Sequence, residues 1–176
     1  MEKIGFFGGC FNPPNILHVE IAENLIKNKQ VDKVIFIPVN DYYKKDGLIE
    51  AKHRYNMLNL ATEKYNNLYV DDIEIKENRK LYAIDAFELM QKSNFITEDN
   101  KDNIYFIMGS DNYEKMPKWK DYDRIKDKYK YIIVERNKIS IPSTKIREMI
   151  FNNSEEVKKY LSEEVYQYIV KNNLYK

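Results

Sequence analysis

The order in which apolar runs change period constrains this chain more than any other feature. Short continuous runs at Lys3 to Phe7, Lys33 to Ile37, Leu68 to Ile73, Asn103 to Met108 and Tyr131 to Glu135 have the length of buried strands. Interspersed with them are stretches of helical spacing. These are Ile16 to Lys29, with Ile21, Ala22, Leu25 and Ile26 on one face; Ala51 to Lys64, with Tyr55, Leu58 and Thr62; and Tyr82 to Lys92. A helix after a strand returns the chain to the same edge of a sheet, so the strands pair in parallel. The expected class is α/β, a doubly wound parallel sheet with helices on both faces. Ligands bind such sheets outside the carboxyl ends of the strands. That directs attention to the segments after Phe7, Ile37, Ile73, Met108 and Glu135.

From about residue 143 to 176 the pattern changes to a short helical tail. Ser143 is placed to cap a helix over Thr144 to Phe151; Ser154-Glu155-Glu156 and Ser162-Glu163-Glu164 each read as a cap followed by first-turn carboxylates. The mixed charges of Lys126 to Lys130 read as a solvated connection. No linker divides the chain, and 176 residues suit one domain, 1–176. A formal net charge of +1 supplies no global field for nucleic acid or an anionic membrane. One cysteine excludes an internal disulfide, no apolar run has membrane-spanning length, and the N-terminus lacks a signal-peptide core. The expected location is cytoplasmic.

Four stretches carry residue types suited to phosphate chemistry. Gly8-Gly9-Cys10-Phe11-Asn12-Pro13-Pro14-Asn15 joins the first strand to the first helix, and His18 lies at that helix's start. Glycines there permit close backbone approach, prolines stiffen the turn, and a helix N-terminus attracts anions. A histidine can donate to phosphate oxygens in reaction. Neither Gly-x-Gly-x-x-Gly nor the Gly-Lys-Ser/Thr loop is present, and a tight turn whose histidine bonds a carbonyl would use the same residues. The second stretch, Pro38 to Ile49, leaves the second strand at the ligand edge and brings Lys44 and Lys45 there; a solvated loop would look alike. His53 and Arg54 follow, where surface or intrahelical pairing is expected. Third, Gly109-Ser110-Asp111 ends the fourth strand, and an aspartate there can accept from a ribose hydroxyl. Trp119, the sole tryptophan, suits either stacking on a planar ring or anchoring the core. Fourth, Ser143-Thr144-Lys145-Ile146-Arg147 sets two hydroxyls and two cations at a helix start, where cations oppose the dipole unless an anion is bound.

Taken in order, these stretches resemble the nicotinamide/nicotinate mononucleotide adenylyltransferases, within the HxGH nucleotidyltransferase superfamily, over nearly the whole chain. Gly9 through His18 looks like the first signature, with Asn15 for the usual His or Thr, Leu17 for Gly, and Cys10 where Thr or Ser is usual. Residues 39–54 look most like the eukaryotic-type members. Pro142-Ser143-Thr144-Lys145-Ile146-Arg147 is similar to the second signature, Ser-Ser-Thr-x-Ile-Arg. Ala83, after Tyr82, replaces a common Thr; Arg136 to Ser143 is shorter than usual, which bears on oligomer contacts.

The resemblance implies a Rossmann-like fold and an adenylyl transfer in NAD biosynthesis. The 5′-phosphate of nicotinate or nicotinamide mononucleotide would attack the α-phosphorus of ATP, releasing pyrophosphate. It implies His18, Asn15, Lys44 and Arg147 as catalytic, with Gly8, Gly9, Cys10, Phe11, Gly109, Asp111, Ser143 and Thr144 joining His18 and Arg147 around ATP. Asn12, Lys44, Lys45, Tyr82, Ala83 and Trp119 would surround the mononucleotide, Tyr82 and Trp119 bordering its pyridine ring. Mg2+ would bridge phosphate oxygens without a dedicated protein cage. A homo-oligomer is compatible with this family. Two other functions fit the same residues: transfer to a different phosphate substrate such as phosphopantetheine, and a nucleotide-binding sensor whose turnover is lost through Asn15 and Leu17.

Overall fold

A computed structural model describes residues 1–135 and 141–176, so the shortened segment before Ser143 falls largely outside the described residues. Five strands form one parallel sheet: β1 (Ile4–Gly9), β2 (Lys33–Pro38), β3 (Leu68–Val70), β4 (Ile104–Gly109) and β5 (Lys130–Val134). Their order is β3-β2-β1-β4-β5. The order reverses at β1, which opens a crevice between the carboxyl ends of β1 and β4. β3 stops earlier than its apolar run suggests. Asp71 Oδ1 accepts the Ile73 N–H at 3.0 Å, a local turn that competes with the ladder.

Among the described residues seven α-helices accompany the sheet: α1 (Ile16–Lys27), α2 (Ala51–Thr62), α3 (Ala83–Met90), α4 (Ser110–Lys115), α5 (Tyr122–Ile125), α6 (Ser143–Phe151) and α7 (Glu163–Lys171). Successive strand residues feed opposite layers. Val34 and Phe36 of β2 pack with Val19, Leu25, Met57, Leu58, Ile146 and Ile169 from α1, α2, α6 and α7. Ile35 and Ile37 pack with Ile84, Phe87, Met90 and Ile125 from α3 and α5. Burial on both faces is why the strands read as unbroken apolar runs.

The helical C-terminal tail packs into the core: Ile146, Val165 and Ile169 are at most 1 % exposed and complete the α1/α2 layer. Two expectations change. Ser143 is the first residue of α6, with Pro142 in the cap position; Ser154 makes no capping bond, whereas Ser162 Oγ accepts the Val165 N–H at 3.3 Å. Lys126 to Lys130 is not wholly solvated, since Tyr129 inserts its ring edge-on against Phe87 and Phe106. Helices α4 and α5 went unread because six- and four-residue polar helices carry no measurable period. No described helix is long and apolar enough to cross a membrane.

Candidate active site

The glycine loop leaves β1 at the crevice. A Cβ on Gly9 would lie 3.1 Å from the Phe11 ring, so any larger residue there would displace that ring by a few tenths of an ångström. Phe11 itself sits at φ +46° with its ring buried against Phe7, Phe36 and His18. Asn15 caps α1: its Oδ1 accepts the His18 N–H at 3.2 Å, and the Asn15 N–H donates to His18 Nδ1 at 3.0 Å. An imidazole whose Nδ1 accepts a bond carries its proton on Nε2. Nε2 is thereby the donor nitrogen of His18. Asn15 is 6 % exposed and its oxygen is committed to the backbone of His18. It orients the histidine.

Three chain segments converge on this loop. Asn12, also buried, donates from Nδ2 to the Gly47 carbonyl at 2.7 Å, and its own carbonyl accepts Arg147 Nη1 at 2.9 Å. Gly47 adopts φ +70°, and its Cβ position lies 3.7 Å from the Arg147 guanidinium. The start of α6 and the lysine-bearing loop are therefore fastened to the glycine loop. Arg147 Nη2 also reaches Thr144 Oγ1 at 3.4 Å; Ser143 and Thr144 open α6 with first-turn N–H groups. Burial pushes the Cys10 thiol up, while Lys45, Arg54 and Arg147 pull it the other way, which places all three cations about that loop. Lys44 and Lys45 are exposed beside it.

Gly8 and Gly109 lie at the carboxyl ends of β1 and β4. Gly8 lies 3.6 Å by its Cβ position from Met90, an ordinary contact. Gly109 caps α4, and Asp111 stands in that helix's first turn. Tyr82 caps α3 and is 40 % exposed; Lys120 Nζ lies 4.3 Å above its ring, which brings Trp119's neighbour to Tyr82 and Ala83. Trp119 is half-buried against the α3/α5 layer, where it helps anchor the core. Asp85 Oδ2 accepts the Tyr82 N–H at 2.9 Å, and that bond, aided by Arg79, holds its carboxyl below the usual carboxylate range.

Comparison with known proteins accords with this geometry. A model of the family described as "Cytidylyltransferase-like" matches residues 6–167. An Oceanobacillus iheyensis protein named "Probable nicotinate-nucleotide adenylyltransferase" is 31% identical, with 99% of this chain and 97% of that protein covered. A Lactococcus lactis protein of the same name is 32% identical over 99% of this chain and 96% of its own. The chain belongs to this adenylyltransferase family. A structure of Plasmodium falciparum nicotinic acid mononucleotide adenylyltransferase complexed with NaAD superposes with a TM-score of 0.75 over 99% of this chain and 98% of its own; at 20% identity it bears on the fold alone. The two relatives are bacterial and lend no support to the eukaryotic-type likeness of residues 39–54.

Two residues of this family member escaped the sequence reading. Arg54, expected at the surface, is fully buried. Its fork donates from Nε to the Ile49 carbonyl at 2.9 Å, from Nη1 to that of Cys10 at 3.0 Å and from Nη2 to that of Val39 at 2.7 Å. Planar guanidinium geometry lets one side chain hold three backbones, which a lysine cannot do. Its neighbour His53 pairs with Tyr168 of α7 at 2.9 Å. Glu74, beyond β3, is 5 % exposed, and burial pushes its carboxyl up to about 7 against the pull of Arg54. Single polar residues among exposed ones carry no periodic signal of burial. Cavity size would also mislead: a cleft of about 730 Å³ lined by Asn56, Asn59, Tyr65, Tyr69 and Tyr168 shares no residue with the four motifs.

Proposed function

We propose that this chain joins ATP to nicotinate mononucleotide, giving the dinucleotide and pyrophosphate. A 5′-phosphate oxygen bonds to the α-phosphorus as the bond to the bridging oxygen of the β-phosphate breaks, and pyrophosphate leaves with that electron pair. Such chemistry needs placement and charge neutralisation more than a strong base. His18 donates from Nε2 to the phosphate oxygens, held by Asn15. The α6 N–H groups, Ser143, Thr144 and Arg147 grip the β- and γ-phosphates, with Lys44 and Lys45 adding cations from the facing loop. Gly109 and Asp111 border the nucleoside, and Tyr82, Ala83 and Trp119 the pyridine. Among the described residues no group of three or more His, Cys, Asp or Glu is arranged to hold a metal. Mg2+ accompanying ATP would supply charge neutralisation at the phosphates.

The observation that carries this reading is the 2.9 Å bond from Arg147 to the Asn12 carbonyl. It joins two anion-binding motifs that lie 135 positions apart. Steady-state kinetics with nicotinate or nicotinamide mononucleotide, ATP and Mg2+, read by pyrophosphate release, test it. The acid is the expected better substrate. Absence of pyrophosphate with either one overturns the reading.

A further inference from the structure

Resting on the adenylyl-transfer reading, we propose that Tyr175, the penultimate residue, is a positioning residue for the phosphate-binding loop and acts through Asn12. Its hydroxyl donates to Asn12 Oδ1 at 2.8 Å, bridging 163 positions of chain. The same oxygen receives only a long 3.4 Å bond from the Ile49 N–H, so the phenol sets the plane of the amide. In that plane Asn12 Nδ2 points at the Gly47 carbonyl. The Asn12 carbonyl meanwhile holds Arg147. One buried amide thus ties the chain terminus to the lysine-bearing loop and to the α6 guanidinium.

The phenol is delivered rigidly. Tyr168 fastens α7 to α2 through His53 Nδ1 and Asn56 Nδ2, each at 2.9 Å. Leu174 is buried, and its N–H bonds the Ile169 carbonyl at 3.0 Å. Tyr175 itself stands at φ +63°, a backbone region that a bulky residue leaves unless contacts hold it. A hydroxyl adds no apolar burial, so its contribution is directional.

Tyr175→Phe keeps the ring and deletes the hydroxyl. In the full chain at 25 °C we expect kcat/KM for ATP to fall about fivefold, carried by KM, the effect of one hydrogen bond of ordinary net strength. The melting temperature should move by no more than about 3 °C. Cys10, the sole thiol, reports on the loop without substrate: a thiol reagent should modify it about fivefold faster in the variant. Tyr175→Met, lacking both ring and hydroxyl, should show the same pattern. Wild-type KM and labelling rate in Tyr175→Phe overturn the proposal, as does a loss of melting temperature with unchanged kinetics, or failure of both variants to fold. A wild-type chain without adenylyl transfer would refute the catalytic reading instead, and Cys10 labelling would still decide the role of Tyr175.

Discussion

Replacing Arg54 by lysine tests how the site is assembled. The guanidinium serves the carbonyls of Cys10, Val39 and Ile49 at 2.7–3.0 Å from a fully buried position. One ammonium on a linear stem reaches one of them. Two buried carbonyls then lose their donors, at about 1–3 kcal/mol each, so about 4 kcal/mol in all. The Asp41 contact, 3.6 Å from Nη2, adds little because that carboxylate is 58% exposed. At about 2–4 °C per kcal/mol for a chain of this size, the melting temperature should drop by about 8–16 °C. Urea unfolding gives the free energy directly, and calorimetry gives the temperature. Since the three carbonyls belong to the loops after β1 and β2, kcat/KM should fall as well, even well below the transition. A lysine variant within 1 kcal/mol of wild type, with an unchanged denaturant slope, would refute the idea that this fork holds the loops.

Other outcomes follow from single contacts. His18→Ala should lower kcat by about 10²–10³, the cost of one lost transition-state donor, while the lost Asn15 N–H bond costs only about 1 kcal/mol of stability; rapid-quench turnover and thermal melts separate the two. The folded chain keeps the Glu74 proton up to about pH 7, whereas the unfolded chain releases it near 4.5, so stability falls as pH rises through that interval. The gap is worth about 3 kcal/mol at about 1.4 kcal/mol per pH unit, and Glu74→Gln should flatten the slope in chemical denaturation between pH 5 and 8. Ser162→Ala should cost about 1 kcal/mol through the lost cap of α7, with Ser162→Thr restoring most of it in urea titrations.

Much of the sheet was legible because each strand advertises itself locally. Val34 to Ile37 is apolar on both faces, and nothing but a doubly covered parallel strand accommodates that run. The glycine loop was legible for a similar reason, since the two prolines stiffen their own backbone and Gly9 permits close approach. Less could be said of side chains whose partners lie elsewhere. Asn12 bonds Gly47 through Nδ2 and Tyr175 through Oδ1, contacts that no local stretch announces. Asn15 caps α1 through Oδ1.

What the sequence determined alone was the class of sheet and the turns that follow its strands, because hydrophobic period and turn chemistry act over a few neighbouring residues. Tertiary structure decided which polar groups hold the frame. Arg54 looks like a surface or intrahelical residue in the sequence, and nothing local marks Glu74 or Tyr175. Arg54 is buried on the Cys10 carbonyl 44 positions away, and Tyr175 bonds Asn12 across 163 positions. Whether a charge or hydroxyl is buried depends on what packs against it, and no local stretch of residues carries that information.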